Sequence, residues 1–353
     1  MRPIRVIESA EPAALAGFDV IVDVRSPGEF AQDHVPGAVN LPVLSDAERA
    51  EVGTIYVQES RFRANRIGAA YVAANIARHL TTAMADWPAE AQPLIYCWRG
   101  GNRSGAMATI LQRVGWPTAV LAGGYRTWRR HVQARLYDQD CPVQFVLLDG
   151  DTGSAKTELL ARLAARGVQT LDLEGLAAHR GSLLGALADR PQPDQKLFET
   201  QLLTALDGLD PARPVIAEAE SSKIGDRVIP PAVWRAMQAA PRLEIAAPRP
   251  VRADYLVRAY ADLIADPDRL EAMVDRLPIR PSPARREAWR GLMAQGRYAE
   301  LAEALMELHY DPAYARARRK DGRAPQAHID TDSLDDAAQN RIADRIVTLM
   351  TAL

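Results

Sequence analysis

Cysteine is almost missing from this chain of 353 residues: there are two, Cys97 and Cys141. Two cysteines build neither a disulfide framework nor a four-ligand zinc site, and these two form no CxxC pair. No apolar run approaches the roughly 20 residues that cross a bilayer. The first residues, Met1-Arg2-Pro3-Ile4-Arg5, lack the apolar region of a secretion signal and lead directly into a strand pattern. Net charge is also nearly absent, since 43 Lys and Arg stand against 45 Asp and Glu. Any nucleic-acid partner must therefore be met by a local patch. These absences leave a globular chain expected in the cytoplasm, with no membrane partner. Its length exceeds what one core usually serves, so two domains are expected.

What is present is one cysteine in an unusual setting. Cys97 opens the stretch Cys97-Trp98-Arg99-Gly100-Gly101-Asn102-Arg103-Ser104, after the apolar run Pro93-Leu94-Ile95-Tyr96 and before a helical stretch from Ala106 to Val114. Where a strand gives way to a helix, loop N–H groups and the unpaired N–H groups of the first helical turn converge on one point. Arg99 and Arg103 add positive charge there. Such surroundings lower a thiol pKa and bind an anion. The loop reads as a nucleophilic thiolate beside an anion pocket, suited to group transfer onto or from sulfur. Cys141, before Pro142 at a domain junction, carries no such signals and reads as structural.

The run from Val20 to Arg25 is β-branched, ends in charge and meets the turn Ser26-Pro27-Gly28, so it delivers Asp23 and Arg25 to a sheet edge. A short strand between turns follows in His34 to Pro42. Helical spacing over 66–80, a strand over 94–96, a helix over 104–114 and a strand over 118–121 complete a parallel α/β pattern. Ligands of such sheets sit beyond the carboxyl ends of strands, where Cys97 lies. Four motifs in this order resemble the rhodanese domain: Asp23-Val24-Arg25-Ser26-Pro27-Gly28-Glu29-Phe30, then His34-Val35-Pro36-Gly37-Ala38-Val39-Asn40-Leu41-Pro42, then the cysteine loop, then Leu121-Ala122-Gly123-Gly124-Tyr125. The resemblance implies a rhodanese-like domain over residues 1–138, with Asp23 and Arg25 ordering the cysteine loop and His34 structural. Rhodaneses usually place the arginine five positions after the cysteine, whereas Cys97 to Arg103 is six, as in the phosphatases of the same fold. A wider pocket is implied, able to admit a phosphate that bears a chalcogen.

The stretch Asp140 to Pro142 reads as a linker, because a second α/β pattern starts at once over 139–353. A strand over 144–149 runs into Gly150-Asp151-Thr152-Gly153-Ser154-Ala155-Lys156-Thr157 and a helix over 158–165. This is P-loop spacing with Ala155 in place of the glycine before the lysine. Loop N–H groups and the helix start would hold phosphates, with Lys156 as a point charge and Thr157 as a ligand for Mg²⁺. Ala155 keeps the loop geometry only at a negative φ. Further strands are read over 170–173 and 214–218. Glu218 and Glu220 end the latter, and residues two apart in an extended chain face the same way, which suits an acidic pair near Mg²⁺.

From about residue 250 the pattern is helical, over 251–263, 268–276, 282–295 and 298–309, with a closing amphipathic helix over 334–353. Basic residues gather in two stretches, one with Arg276, Arg280, Arg285, Arg286 and Arg290, the other with Arg316, Arg318, Arg319, Lys320 and Arg323. With Trp289, Tyr310 and Tyr314 nearby, these patches would grip phosphates and stack a base, although a charge run is also the ordinary sign of a solvated helix face.

A rhodanese-like domain joined to a P-loop domain resembles the tRNA 2-selenouridine synthase family. The likeness extends to Glu51-Val52-Gly53-Thr54-Ile55-Tyr56, His179-Arg180-Gly181-Ser182, Gln195-Lys196-Leu197-Phe198-Glu199, Glu218-Ala219-Glu220-Ser221-Ser222-Lys223-Ile224-Gly225 and His309-Tyr310-Asp311-Pro312-Ala313-Tyr314. It implies an enzyme that replaces sulfur by selenium in 2-thiouridine at the tRNA wobble position, through an S-geranylated intermediate. Geranyl diphosphate and selenophosphate are the implied co-substrates, with Mg²⁺ as the one implied metal and a selenophosphate-forming enzyme as supplier. His179 and Arg180 become candidates for phosphate or RNA contact, and Ser221, Ser222 and Lys223 supporting residues. Two other readings stay open on the residues alone: a sulfurtransferase or phosphatase fused to a nucleotide-hydrolysing domain, and a non-catalytic RNA-binding module. A thiol among arginines argues against the second of these.

Overall fold

The computed structural model describes residues 3–182, 184–187, 189–277 and 281–350. The chain divides into two compact units, Met1–Gln139 with Asp194–Thr204, and Asp140–Pro193 with Ala205–Leu353.

In the first unit β1 (Arg5–Ile7), β2 (Val20–Asp23), β3 (Ala38–Asn40), β4 (Pro93–Tyr96) and β5 (Ala119–Leu121) form one parallel sheet in the order β1-β5-β4-β2-β3. Strand β4 is buried at every residue, which explains an apolar run without alternation. The helix Asn102–Val114 turns Met107, Ala108 and Leu111 onto the sheet and ends at Gly115 with φ 125°. Helices Asp46–Gln58 and Arg61–Thr81, each capped by a serine hydroxyl, follow β3. The segment 194–204 belongs here although it comes from later in the chain. Trp128 Nε1 donates to Thr200 Oγ1 at 3.1 Å, Tyr137 OH donates to Glu199 Oε1 at 2.7 Å, Arg129 pairs with Glu199, and Phe198 is fully buried.

In the second unit β6 (Phe145–Gly150), β7 (Gln169–Leu171), β8 (Val215–Glu218), β9 (Lys223–Ile224), β10 (Arg227–Val228), β11 (Arg242–Ala246) and β12 (Ala327–Asp330) follow in chain order. Strands β9 and β10 form a small antiparallel hairpin, and the other five make a parallel sheet in the order β12-β11-β6-β8-β7. In each sheet the strand order reverses beside the strand that carries a signature loop, β4 and β6. That is where open α/β sheets place ligands.

Three local readings are corrected. Strand β7 stops at Leu171, because the Asp172 carboxylate accepts the Gly175 N–H at 2.6 Å and caps the helix Leu173–Ala177. Strand β8 stops at Glu218, and the Glu220 N–H donates to the Glu218 carbonyl at 2.9 Å. The chain therefore turns between the two glutamates, and strand alternation does not put them on one face. Trp289 and Tyr310 offer no stacking surface: they are 3% and 8% exposed, inside an apolar cluster with Leu263, Leu270, Leu301 and Leu305. Helical spacing turns them inward from Pro283–Ala294 and from the π-helical turn Met306–Tyr310.

The basic patch divides in the same way. Arg290 pairs with Glu271 and Asp275, and Arg318 with Asp151 and Glu244, while Arg285, Arg286, Arg316, Arg319 and Lys320 are exposed. Arg280 lies outside the described residues. The closing helix Asp336–Met350 lays Ile342, Ala343 and Ile346 against Leu159, Leu160 and Leu163 of the helix Lys156–Ala164, and Arg162 holds Asp336 at 2.6 Å. Residues 351–353 of the expected closing helix lie outside the described residues.

Candidate functional site

Cys97 is the first residue after β4 and is 4% exposed. Its Sγ accepts the Gly101 N–H at 3.3 Å and the Ser104 hydroxyl at 3.2 Å. Burial works against the thiolate, but the Ser104 hydroxyl and the N–H groups of Ser104, Gly101 and Arg99 outweigh it, and the thiol pKa falls below its ordinary value. The loop is seated from behind. The Tyr125 N–H donates to the Cys97 carbonyl at 2.8 Å and the Arg126 N–H to that of Trp98 at 3.3 Å. Gly124 sits so close to the Cys97 carbonyl that a side chain there would collide with it. The Gly123-Gly124-Tyr125 motif is thus the cradle of the cysteine loop.

Asp23 and Arg25 support that cradle. Arg25 is 1% exposed, pairs with Asp23 at 2.6 Å, donates to the Asp33 carbonyl at 2.6 Å and lies 4.1 Å from the centre of the Tyr125 ring. His34 stacks on Phe30 at 3.9 Å, a packing role. A cavity of about 830 Å³ opens over Cys97. Its wall is of mixed charge: Arg99 and Arg49 face it, but Arg103 is held by Glu29 at 2.8 Å and Asp46 stands at the rim. Burial opposes ionisation of Glu29, yet Arg103 and Arg49 draw its pKa down, so that carboxylate is charged. Arg103 is consequently balanced, and Arg99 is the arginine of the loop without a carboxylate partner in the described ion pairs.

In the second unit Gly150 to Thr157 wrap the start of the helix Lys156–Ala164. A cavity of about 250 Å³ over this loop is lined among others by Ser154, Lys156, Thr157, Glu174, Arg180 and Tyr314. Lys156 Nζ donates to the Gly150 carbonyl at 2.9 Å and lies 5.7 Å from the Tyr314 ring. Two buried donors in this lining, Ser154 Oγ and Arg180 Nη1, have no hydrogen-bond partner among the described residues. Orphaned donors around a loop of N–H groups suit a multiply charged oxyanion.

The expected negative φ at Ala155 is not found: the residue is left-handed, φ 59° and ψ 28°. The loop needs this conformation to open the helix, and the alanine bears it with its methyl buried among Leu159, Leu160 and Leu163. Strain of about 1–2 kcal/mol is set against about 0.8 kcal/mol for burying the methyl group and about 0.5–1 kcal/mol of chain entropy that glycine would lose. Ala155→Gly is therefore expected to leave stability within about 1 kcal/mol of the parent, and Ala155→Val to lose about 1–3 kcal/mol, both read by urea unfolding. Equal midpoints for the valine variant and the parent would refute the strain argument.

Glu174 of this lining belongs to a group of interacting carboxyls with Glu218 and Glu220. Glu174 is pushed up to about 8, first by burial and then by Glu220, with Lys156 opposing. Burial, Asp172 and Glu174 raise Glu218 well above the carboxylate range, and burial raises Glu220 against the pull of Lys156. Thr157 Oγ1 donates to Glu174 at 3.0 Å. Glu218 Oε2 accepts the Leu173 N–H at 3.2 Å, while its Oε1 is buried without a hydrogen-bond partner among the described residues. Among the described residues no three histidine, cysteine or acidic side chains converge to hold a metal by themselves. A folded carboxyl with a raised pKa binds its proton more tightly than the unfolded chain does. Its stabilisation is full below the unfolded value and is lost as pH rises through about 8. Thermal stability is expected to fall between pH 5 and 8, by at most about 1.4 kcal/mol per pH unit for one proton, and less steeply in Glu174→Gln. An identical slope in that variant would exclude Glu174 as the cause.

The comparisons bear on both units. The rhodanese-like domain model matches residues 10–131, and the model described as the tRNA 2-selenouridine synthase AAA domain matches residues 143–272. A protein named tRNA 2-selenouridine synthase from Cupriavidus necator is 33% identical over 85% of this chain and 88% of its own length. The chain belongs to the tRNA 2-selenouridine synthase family. Proteins of the same name from Bdellovibrio bacteriovorus and Cupriavidus pinatubonensis are 33% and 36% identical, each over 68% of this chain. In them the chain spans 64% and 65% of the relative's length.

As a tRNA 2-selenouridine synthase family member, the chain carries its signature stretches in unequal roles. His179 and Arg180 precede a tight turn in which Gly181 has φ 66°. Arg180 holds Asp262 at 2.7 Å and lines the P-loop cavity, while burial holds His179 below its usual pKa and the residue does not line that cavity. Ser221, Ser222 and Lys223 are exposed, and Ser221 Oγ donates to the Lys223 carbonyl at 2.6 Å, so the two serines lead into β9, which Lys223 opens. Glu29 and Glu174 were not singled out from the sequence. Glu29 lies within a quoted motif, but its ion pair depends on Arg103, 74 residues away.

Proposed function

We propose that the chain converts wobble 2-thiouridine of tRNA to 2-selenouridine through S-geranyl-2-thiouridine, using geranyl diphosphate and selenophosphate. The observation that supports this most is the presence of two distinct anion-ready loops, one bearing a thiol of lowered pKa and the other donors without a partner among the described residues, beside a P-loop lysine. In the first step the base sulfur attacks the allylic carbon of geranyl diphosphate. A C–S bond forms, the C–O bond breaks, and the electron pair departs on pyrophosphate. Lys156, Ser154, Arg180 and the N–H groups of the loop stabilise that charge as it develops. Thr157 and, once deprotonated, Glu218 are proposed to hold Mg²⁺, which when bound would neutralise charge on the diphosphate.

In the second step selenium of selenophosphate attacks C2 of the base, the C–S bond breaks and geranylthiol leaves. Water then takes the phosphate from selenium. Cys97 serves this exchange, with Arg99 and the loop N–H groups on the phosphate. No helix among the described residues is long and apolar enough to cross a membrane, and the cytoplasm is the expected compartment, with a selenophosphate-forming enzyme as supplier. The exposed Arg285, Arg286, Arg316, Arg319 and Lys320 are proposed as tRNA phosphate contacts.

Mass spectrometry of nucleosides from 2-thiouridine tRNA, incubated with geranyl diphosphate and then selenophosphate, tests the proposal. Geranylated and then selenated uridine are expected. Finding neither, together with ATP or GTP turnover in the absence of tRNA, would overturn it.

A further inference from the structure

Against the P-loop cavity lies a second one, of about 70 Å³, among the helices Arg249–Ala259, Pro267–Asp275 and Tyr298–Leu305 and the turn Met306–Tyr310. The two share Thr152, Ser182, Leu256 and Tyr260 as walls, and Thr152 belongs to the P-loop itself. Beyond that rim the lining is mainly apolar, chiefly Leu263, Leu270, Leu301, Ala302 and Leu305, with Tyr298 and Tyr310 the residues there that carry hydroxyls. Two polar groups of the rim satisfy each other, since Ser182 Oγ and Tyr260 OH lie 2.7 Å apart. A base or sugar placed inside would leave its polar edges unmatched, whereas a hydrocarbon loses nothing.

We infer that this apolar pocket receives the hydrocarbon chain of an allylic diphosphate whose head lies on the P-loop, and that the Leu301–Ala302 wall limits the chain length accepted. The inference rests on the proposed geranyl transfer and adds to it a binding pocket and a ruler. The size is consistent. By the measure in which one water takes about 10–15 Å³, the pocket holds a few carbons, and the reacting end of a ten-carbon chain stays in the P-loop cavity. Ala302 is half-buried, so a larger side chain there fills the pocket with little disturbance of the core.

The test is equilibrium binding to the full chain with two probes, geranyl diphosphate and inorganic pyrophosphate, and then transfer assays with five-, ten- and fifteen-carbon allylic diphosphates. The parent should bind geranyl diphosphate at least tenfold more tightly than pyrophosphate. Ala302→Phe should remove that preference with pyrophosphate affinity unchanged, which also reports that the chain is folded. Leu301→Ala should raise the fifteen- to ten-carbon ratio at least fivefold. If the parent shows the preference and both variants keep its affinity and length profile, the pocket assignment is overturned while geranyl transfer stands. If the parent neither prefers nor transfers the geranyl group, the underlying reading fails and takes the pocket with it.

Discussion

Replacing Cys97 by serine is expected to leave S-geranyl-2-thiouridine accumulating in tRNA while 2-selenouridine formation falls by at least about a thousandfold. The substitution is nearly isosteric, and the Ser104 hydroxyl and Gly101 N–H that meet the sulfur keep an acceptor to bond. What disappears is the anion, because those donors lower the pKa of a thiol but leave an alkyl hydroxyl far too weak an acid to ionise. The loop is held from behind by Tyr125 and Gly124, so the variant should melt within a few degrees of the parent. The parent has a matching pH signature: selenation rises as the thiolate forms and levels off below the pH at which an ordinary cysteine ionises. Nucleoside mass spectrometry, melting curves and a pH profile check this together. Selenouridine at the normal rate in the variant would show that the cysteine takes no part in the exchange.

Replacing Lys156 by alanine should give the complementary phenotype, with neither geranylated nor selenated uridine. Geranyl transfer should fall about 10²–10³-fold, as when one preorganised donor to a developing charge is removed. A second effect follows from its neighbours. Lys156 restrains the upward pKa shifts of Glu174 and Glu220, so without it both carboxyls hold their protons to higher pH. The loss of stability with rising pH should therefore extend to higher pH in the variant than in the parent. Alkylation of Cys97 by iodoacetamide should be unchanged. A variant that still geranylates tRNA at the parental rate would remove the P-loop from the reaction.

Both strands that carry the loops were legible because they are central and parallel. Pro93–Tyr96 and Phe145–Asp149 are buried on both faces and spell continuous apolar runs ahead of glycine-rich loops. Edge strand β12 was not: Ala327-His328-Ile329-Asp330 shows a single buried residue and follows an arginine-rich helix, so its four residues resemble a loop. Glu174 was hidden for a different reason. It is the second residue of a five-residue helix, and its raised pKa exists only where Glu220 and Lys156 meet it from other parts of the chain. The basic patch misled through periodicity, since the same spacing that exposes Arg285 and Arg286 buries Trp289. At Ala155 the motif was right and the backbone was not. Sequence spacing marks where a turn occurs, but the sign of φ is set by how tightly the loop must close over the helix start.

The placement of residues 194–204 in the first unit has a consequence for synthesis. Trp128, 2% exposed, bonds Thr200 through its indole N–H, so the emerging N-terminal unit lacks its last helix until about 65 more residues have been made. At about 5–20 residues per second, that is a wait of roughly 3–13 s on the ribosome. During that interval the Trp128 ring, which ends up buried, stays open to chaperones. A gene cut after residue 138 would make that exposure permanent.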